Sequence, residues 1–163
     1  MLSHPASHAG PWTAGLLQEL LERQVALIPT LKLFDLELDR EGVPAAVKAQ
    51  VIGMAQRQVG EFAAAGGTVL FGTDSGYIDW YDTRDELRMM AEAGLDWRQV
   101  LASLTTAPAQ RFGAGSGRLA PGEAADVVLL DADPRADVAA YAAVRAVFRE
   151  GRRVYDAATA ADD

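Results

Sequence analysis

Asp74 is the residue of this sequence whose position most clearly suggests chemistry. It follows the apolar run TVLF at 68–71 and the pair Gly72-Thr73. A run that is apolar on both faces is typical of a strand in a covered parallel sheet, and ligands bind at the carboxyl ends of such strands. Asp74 is therefore a candidate for contact with a ligand. It could equally be an aspartate that only caps the turn after the strand.

His4 and His8 are the only histidines in the chain, and cysteine is absent. Imidazole is the commonest protein ligand of zinc, and without cysteine only histidine, aspartate and glutamate could bind a transition metal here. The two histidines are therefore candidate metal ligands. The alternative is that both are exposed polar residues near the start of the chain.

Three further acids, Asp79, Asp82 and Asp85, follow Asp74 closely enough to suggest a carboxylate cluster. Asp74 with Asp79 or Asp82 could form the acid pair of a glycosidase, which needs no metal. Helix capping and solvation explain most of these acids equally well.

Lys32 and Tyr77 are candidate substrate-binding residues. Lys32 comes shortly after a predicted strand at 25–28 and could meet an anionic group of a substrate, although an ordinary exposed lysine would look the same. Trp12 and Trp80 could line a pocket or belong to the core.

The composition excludes several classes of protein. The chain has 163 residues, of which 50% are apolar and 23% charged, with a net charge of −8. This length and composition suit one globular domain, and the negative charge argues against a nucleic-acid ligand. The sequence has no apolar run long enough to span a membrane and no signal peptide at its start, so we expect no membrane partner and a cytoplasmic location.

Strands and helices are expected to alternate up to about residue 112, which favours a parallel sheet with helical crossovers. Thr83 with Glu86 and Asp96 with Gln99 match the capping-box pattern at two helix starts. The glycine-rich stretch 113–117 does not match a dinucleotide-binding fingerprint and is interpreted as a linker. The predicted helices cover 13–24, 44–65, 84–93, 97–104 and a short segment ending near 112, and the strands cover 25–28 and 68–71.

A small β unit is predicted after the linker, with a strand at 126–131 and two short strands around Glu150-Gly151. The last residues, 157–163, are expected to form a disordered tail.

The order of these segments resembles the amidohydrolase superfamily, and is most similar to its imidazolonepropionase-like and prolidase-like branch. The similarity covers about residues 1–156. The segments that carry it are LSH at 2–4 with GPW at 10–12, VALIPTLKL at 25–33, GGTVLFGTDSG at 66–76, LASLTTAPA at 101–109, GRLAPG at 117–122 and ADVVLLDADP at 125–134.

The resemblance implies an α/β fold that comprises the last strands and helices of a (β/α)8 (TIM) barrel at 1–112, followed at 113–156 by part of a small β-sandwich. It implies a hydrolase of amide, cyclic amide or dipeptide bonds that depends on a divalent metal, with zinc as the first candidate. In such enzymes an aspartate after strand eight binds the metal and moves the proton of the attacking water, and Asp74 matches it. His4 matches a histidine after strand six, whereas His8 has no evident counterpart.

Most metal ligands of the superfamily, among them the His-x-His pair after strand one, have no counterpart here. The sequence therefore suggests an incomplete enzyme that is inactive alone and that self-associates or needs a partner supplying the other barrel strands. The alternative is a noncatalytic module that pairs with another chain.

Overall fold

A short parallel sheet forms the first part of the chain. The computed structural model describes residues 2–5 and 10–160. Strands β1 (Leu2–Ser3), β2 (Ala26–Ile28) and β3 (Thr68–Val69) lie side by side in that order and all run the same way. The predicted strands at 25–28 and 68–71 are confirmed with slightly shorter bounds. Because all three strands are parallel, the residues that follow them meet at one edge of the sheet.

Helices connect and cover these strands. The predicted helices are confirmed, and most of their bounds agree with the prediction to within two residues. The helices among the described residues are α1 (Ala14–Glu22), α2 (Leu31–Arg40), α3 (Ala45–Ala64), α4 (Arg84–Glu92), α5 (Trp97–Leu104), α6 (Thr106–Phe112) and α7 (Ala157–Ala160), with a 3-10 helix at Val138–Ala142.

The main core lies between the parallel sheet and helices α3, α4 and α5. Burial of these apolar side chains is the principal source of stability for this part of the chain. Its fully buried members include Leu27, Leu31, Val59, Phe62, Leu87, Met90 and Val100.

Helix α2 was not predicted from the sequence. Its first turn buries Leu31 and Leu33, and ion pairs with a spacing of three residues join Lys32 to Asp35 and Arg40 to Glu37. The backbone N–H groups of Leu31 and Lys32 donate to the carboxylate of Glu86, which lies on α4. A helix start that is capped by a side chain more than 50 residues away leaves no local capping signal.

One predicted capping box is confirmed and the other is wrong. The Asp96 side chain accepts from the Gln99 backbone N–H at 2.9 Å, and the Gln99 side chain accepts from the Asp96 backbone N–H at 2.9 Å. Thr83 makes no such bond at the start of α4. The reason is that Glu86 points into the core and caps α2 instead.

An antiparallel sheet follows the linker, as predicted. Strands β4 (Val127–Leu130), β5 (Val144–Arg149) and β6 (Arg152–Asp156) pair in that order. Glu150 and Gly151, both with positive φ, make the turn between β5 and β6. The Glu150 N–H donates to the Asp126 carboxylate at 2.8 Å, which fixes this turn beside the start of β4.

The segment between β4 and β5 returns to the helices of the first part. Its 3-10 helix packs against α4, and the Tyr141 hydroxyl donates to the Trp97 carbonyl at 2.8 Å. Arg88 of α4 lies 3.8 Å from the Asp137 carboxylate. These contacts, in addition to the covalent linker, therefore attach the antiparallel sheet to α4 and α5.

The predicted tail differs from expectation in its first residues. Ala157–Ala160 form one helical turn, α7, because the Asp156 carboxylate accepts from the Ala158 N–H at 3.0 Å and caps that turn. The last three residues of the predicted tail lie outside the described residues. Within residues 2–5 and 10–160, no helix has the length and apolar character needed to cross a membrane.

Candidate active site

Three loops meet at the carboxyl edge of the parallel sheet, and each contains a residue in the left-handed region. These residues are His4 after β1 (φ 75°), Thr30 after β2 (φ 47°) and Asp74 after β3 (φ 59°). Residues other than glycine adopt positive φ infrequently, and such conformations cluster at active sites and ligand-binding loops. This edge of the sheet is therefore the candidate site, and it holds His4 and Asp74, two of the residues that the sequence singled out for metal binding.

The His4 side chain is held from two directions by the segment after β2. Its Nδ1 lies 2.5 Å from the Thr30 hydroxyl oxygen, and its ring meets the Phe34 ring edge-on at a centroid distance of 5.9 Å. The backbone N–H of His4 also donates to the Ile28 carbonyl at 3.0 Å, which extends the pairing of β1 with β2. The imidazole is thus half-buried and oriented by neighbouring groups.

Glu86 binds the backbone of the same segment after β2. Its carboxylate is fully buried and accepts from the Leu31 N–H at 2.9 Å and the Lys32 N–H at 2.7 Å. Loss of hydration raises the pKa of the Glu86 carboxyl to about 7, against the opposing effect of these two hydrogen bonds. From the sequence, Glu86 was predicted only as part of a capping box. The signal that could have revealed it is an acid on the apolar stripe that α4 forms with Leu87 and Met90.

Asp74 lies at the start of a tight turn on the exposed side of the edge. Its carbonyl accepts from the backbone N–H groups of Tyr77 and Ile78, and the buried Ile78 side chain anchors the turn. Two residues earlier, a Cβ on Gly72 would come within 2.5 Å of the Ile28 side chain, so a larger residue at this position would force Ile28 to shift. The Asp74 side chain itself is exposed.

Lys32 is engaged by acids of this chain. Its ammonium lies 2.8 Å from the Asp35 carboxylate, 3.2 Å from that of Asp85 and 5.1 Å from the centre of the Trp80 ring. Burial works to lower the pKa of Lys32, but the hydrogen bonds to Asp35 and Asp85 outweigh it and hold the pKa above its usual value. The lysine is therefore positioned at the rim of the site with its charge balanced.

The remaining predicted side chains lie along the loop after Asp74. Tyr77 is 66% exposed and stands directly beside the Asp74 turn, where a bound molecule could reach it. Asp79 is exposed, whereas Asp82 binds Arg84 and Asp85 binds Lys32. The acids of this loop thus face different partners.

The donors at this edge suit a divalent metal only in part. One imidazole nitrogen from His4 and one carboxylate from Asp74 are appropriate ligands for zinc or a similar metal, but a catalytic zinc normally has three protein ligands. Among residues 2–5 and 10–160, no three histidine, aspartate or glutamate side chains are grouped so that they could hold a metal ion. His8 lies outside these residues. Among the described residues, His4 and Asp74 could therefore supply some of the ligands of a metal site but not a complete set.

Comparison with solved structures gives close structural matches. A Xaa-Pro dipeptidase with bound methionine superposes with a TM-score of 0.77 at 18% identity, over 94% of this chain and 39% of that one. At this identity the match shows the fold alone. A putative prolidase from Bifidobacterium longum matches with a TM-score of 0.74 at 25% identity, over 94% of this chain and 41% of its own.

A prolidase complexed with N-methylphosphonate-L-proline matches with a TM-score of 0.71 at 27% identity, over 94% of this chain and 40% of its own. The chain thus spans about two fifths of the length of these structures. A search of curated proteins gives no match.

The sequence also matches a family model over nearly its whole length. The model of the amidohydrolase family aligns with residues 13–155, a range that includes Asp74 and runs from α1 into β6 but leaves out β1 and His4. The mixed α/β fold agrees with that match. This chain belongs to the amidohydrolase family.

Proposed function

We propose that this chain supplies one part of the active site of a metal-dependent hydrolase of carbon–nitrogen bonds, with amide, cyclic amide or dipeptide substrates. The observation that carries the proposal is the position of Asp74, which lies on the loop after β3, five residues past the end of that strand, at the edge where His4 follows β1. Membership of the amidohydrolase family and the likeness to prolidases at 25% and 27% identity support this class of substrate.

In this proposal the parallel sheet is the last part of a (β/α)8 barrel, and the antiparallel sheet is part of a small β-sandwich. The remaining barrel strands and most metal ligands would come from other polypeptide, either in one longer chain or in a partner. The division at residues 112 and 113 and the cytoplasmic location inferred from the sequence stay predictions.

Asp74 would act as the general base. A divalent metal, with zinc as the first candidate, would supply a Lewis acid that polarises the substrate carbonyl and lowers the pKa of water toward about 7. The exposed Asp74 carboxylate accepts a proton from the attacking water and returns it to the leaving nitrogen. The tight turn fixes the backbone of Asp74 at the sheet edge and so keeps its side chain in that region.

His4 and Tyr77 would contribute in different ways. The half-buried His4 ring would be a metal ligand, since its orientation is fixed by Thr30 and Phe34. Tyr77 would contact the substrate from the exposed side of the Asp74 turn. Lys32 would shape the rim through its contact with Trp80 and add little net charge, because Asp35 and Asp85 balance it.

The test is Asp74→Asn in the assembled protein, in which these 163 residues are completed by the missing barrel strands. Turnover of a panel of Xaa-Pro dipeptides and cyclic amides should fall by about 100-fold or more, because an amide cannot accept the proton of water. Asp79→Asn is the matched control, since Asp79 is an exposed acid of the same loop, and it should leave turnover within about twofold.

Retention of more than about a tenth of the activity by Asp74→Asn would contradict the assigned role. Hydrolysis of glycosides by the assembled protein that is insensitive to chelators and is lost in both variants would favour the acid pair of a glycosidase. An assembled protein without hydrolase activity would favour the noncatalytic module that pairs with another chain.

A further inference from the structure

We propose that Thr30 is a positioning residue that fixes the tautomer and the orientation of the His4 imidazole, so that the Nε2 lone pair faces the site. The proposal rests on the proposed function in one respect, which is that His4 serves there as a ligand. The contacts that argue for it belong to this chain alone and do not depend on a bound metal.

The hydrogen bonds of the Thr30 hydroxyl determine which histidine nitrogen carries a proton. The hydroxyl donates its only proton to the Pro29 carbonyl at 2.8 Å and also lies 2.5 Å from Nδ1 of His4. A hydroxyl has one proton to donate and can accept through its lone pairs. Nδ1 of His4 must therefore carry the proton and donate it to Thr30. If the hydroxyl instead donated to His4, two acceptors would face each other at the Pro29 carbonyl.

The Nδ1–H tautomer leaves the lone pair on Nε2. A neutral imidazole is a ligand only through its unprotonated nitrogen, and the partner of the other nitrogen sets which one that is. The Thr30 hydroxyl thus has the role that a carboxylate or carbonyl often has behind a metal-bound histidine. Phe34, one helical turn later, closes the other side of the ring at an interplanar angle of 88°.

Thr30 is itself held in a costly conformation, which argues that its position matters. It is β-branched, is 3% exposed and has φ 47°, a region that such residues rarely adopt. The buried carboxylate of Glu86 binds the next two backbone N–H groups and keeps the segment from relaxing. Strain of this kind persists only where the surrounding structure enforces it.

The experiment reads the tautomer directly by ¹⁵N NMR of the metal-free 163-residue chain labelled at its two histidines. Magic-angle spinning extends the measurement to an assembled chain, and His8→Gln assigns the signals. At about pH 8.5, where free imidazole is neutral, the ratio of the Nδ1–H to the Nε2–H form of His4 should be about tenfold higher than in free histidine, the factor that one ordinary hydrogen bond supplies, so that the Nδ1–H form predominates. A predominant Nε2–H form in the wild-type chain would overturn the proposal, whatever the variants do.

Variants then assign the effect to the hydroxyl. Thr30→Val keeps the shape and removes the hydroxyl, so His4 should shift to the Nε2–H form that free histidine prefers. Thr30→Ser restores the donor and acceptor and should recover the wild-type spectrum. Thr105→Val, which removes a hydroxyl bonded to the Leu101 carbonyl on α5, should leave the His4 signals unchanged.

An unchanged tautomer in a folded Thr30→Val chain would also overturn the proposal. Because the readout is a nitrogen signal of the metal-free protein, its failure is distinct from a failure of the hydrolase proposal, which is measured by turnover.

Discussion

Glu86 is the only fully buried carboxylate among the described residues, and its two hydrogen bonds join α4 to the start of α2. Its carboxylate accepts from two backbone donors, which favours the charged form, while the surrounding core favours the neutral form. The second effect is the larger, since the pKa is raised to about 7 from an ordinary value of 4.5.

This shift predicts a dependence of stability on pH. A folded-state pKa above that of the unfolded chain means that the unfolded state releases its proton first as pH rises. The free energy of unfolding should therefore fall by about 2 kcal/mol between pH 5 and 7.5 and then level off, as the folded chain also ionises above about pH 7.

Urea unfolding followed by tryptophan fluorescence across this range checks the dependence. In Glu86→Gln the change should be absent, and the variant should be less stable than the wild type at pH 5, because an amide offers only one oxygen to the two N–H groups. Wild-type stability that does not fall between pH 5 and 7.5 would show that the carboxylate is ionised throughout.

The sequence pointed to Asp74 as a candidate site residue but did not reveal the roles of Thr30 and Glu86. Asp74 could be located because an apolar strand and a glycine precede it, which is a local pattern. Thr30 gave no such pattern, and Glu86 gave only an acid on the apolar stripe of α4, since their roles depend on contacts with residues 26 and 55 positions away. Their importance follows from how α2 and α4 pack, and spacing in the sequence does not contain that information.

Among the elements, the crossing of α3 and α4 depends on a glycine. A Cβ built on Gly60 would lie 2.1 Å from the backbone carbonyl oxygen of Ala93, at the end of α4. Backbone cannot yield as a flexible side chain can, so this position admits no larger residue. Gly53, two turns earlier on the same helix, has nothing within 4 Å of the corresponding Cβ.

The two glycines make a matched pair of substitutions. Gly60→Ala should lower the free energy of unfolding by about 2 kcal/mol or more, because overpacking forces α3 and α4 apart. Gly53→Ala should raise it by about 0.5 to 1 kcal/mol, because alanine favours a helix interior over glycine. Chemical denaturation of both variants beside the wild type measures these effects, and similar shifts in the two would contradict this account of the contact.

Helices with local signals were predictable, and those built by distant contacts were not. Asp96 with Gln99 caps α5, as the sequence pattern indicated, and Thr13 caps α1 with a local side-chain bond of the same kind. Helix α2 was missed because its cap lies on α4. The 3-10 helix at Val138–Ala142 was also missed, since its alanines are buried against α4 and show no helical period of large apolar side chains.

At the scale of the whole molecule, both sheets have unpaired edges among the described residues. β1 and β3 border the parallel sheet, and β4 and β6 border the antiparallel one. Val128 and Leu129, on opposite faces of β4, are 53% and 45% exposed. Apolar edge strands of this kind readily pair with another chain.

The isolated chain should therefore self-associate at micromolar concentration, and light scattering after size-exclusion chromatography would show it. Val128→Lys should reduce the associated fraction, since a charge on an edge strand opposes pairing. Val47→Lys is the control, because Val47 is similarly exposed at 46% but lies on α3. A monodisperse wild-type monomer with a sharp thermal transition would instead indicate an independent domain.

The return of the segment between β4 and β5 to the helices of the first part bears on how such a protein can evolve. Tyr141 bonds to α5, and the 3-10 helix covers α4, although both follow the linker in sequence. A genetic crossover in the linker would combine an antiparallel sheet from one ancestor with helices from another, and would replace only one side of this contact. Residues on the two sides of the linker should therefore be inherited together. The glycine-rich stretch separates the two sheets in the fold, but it is not a boundary at which one half could be exchanged without the other.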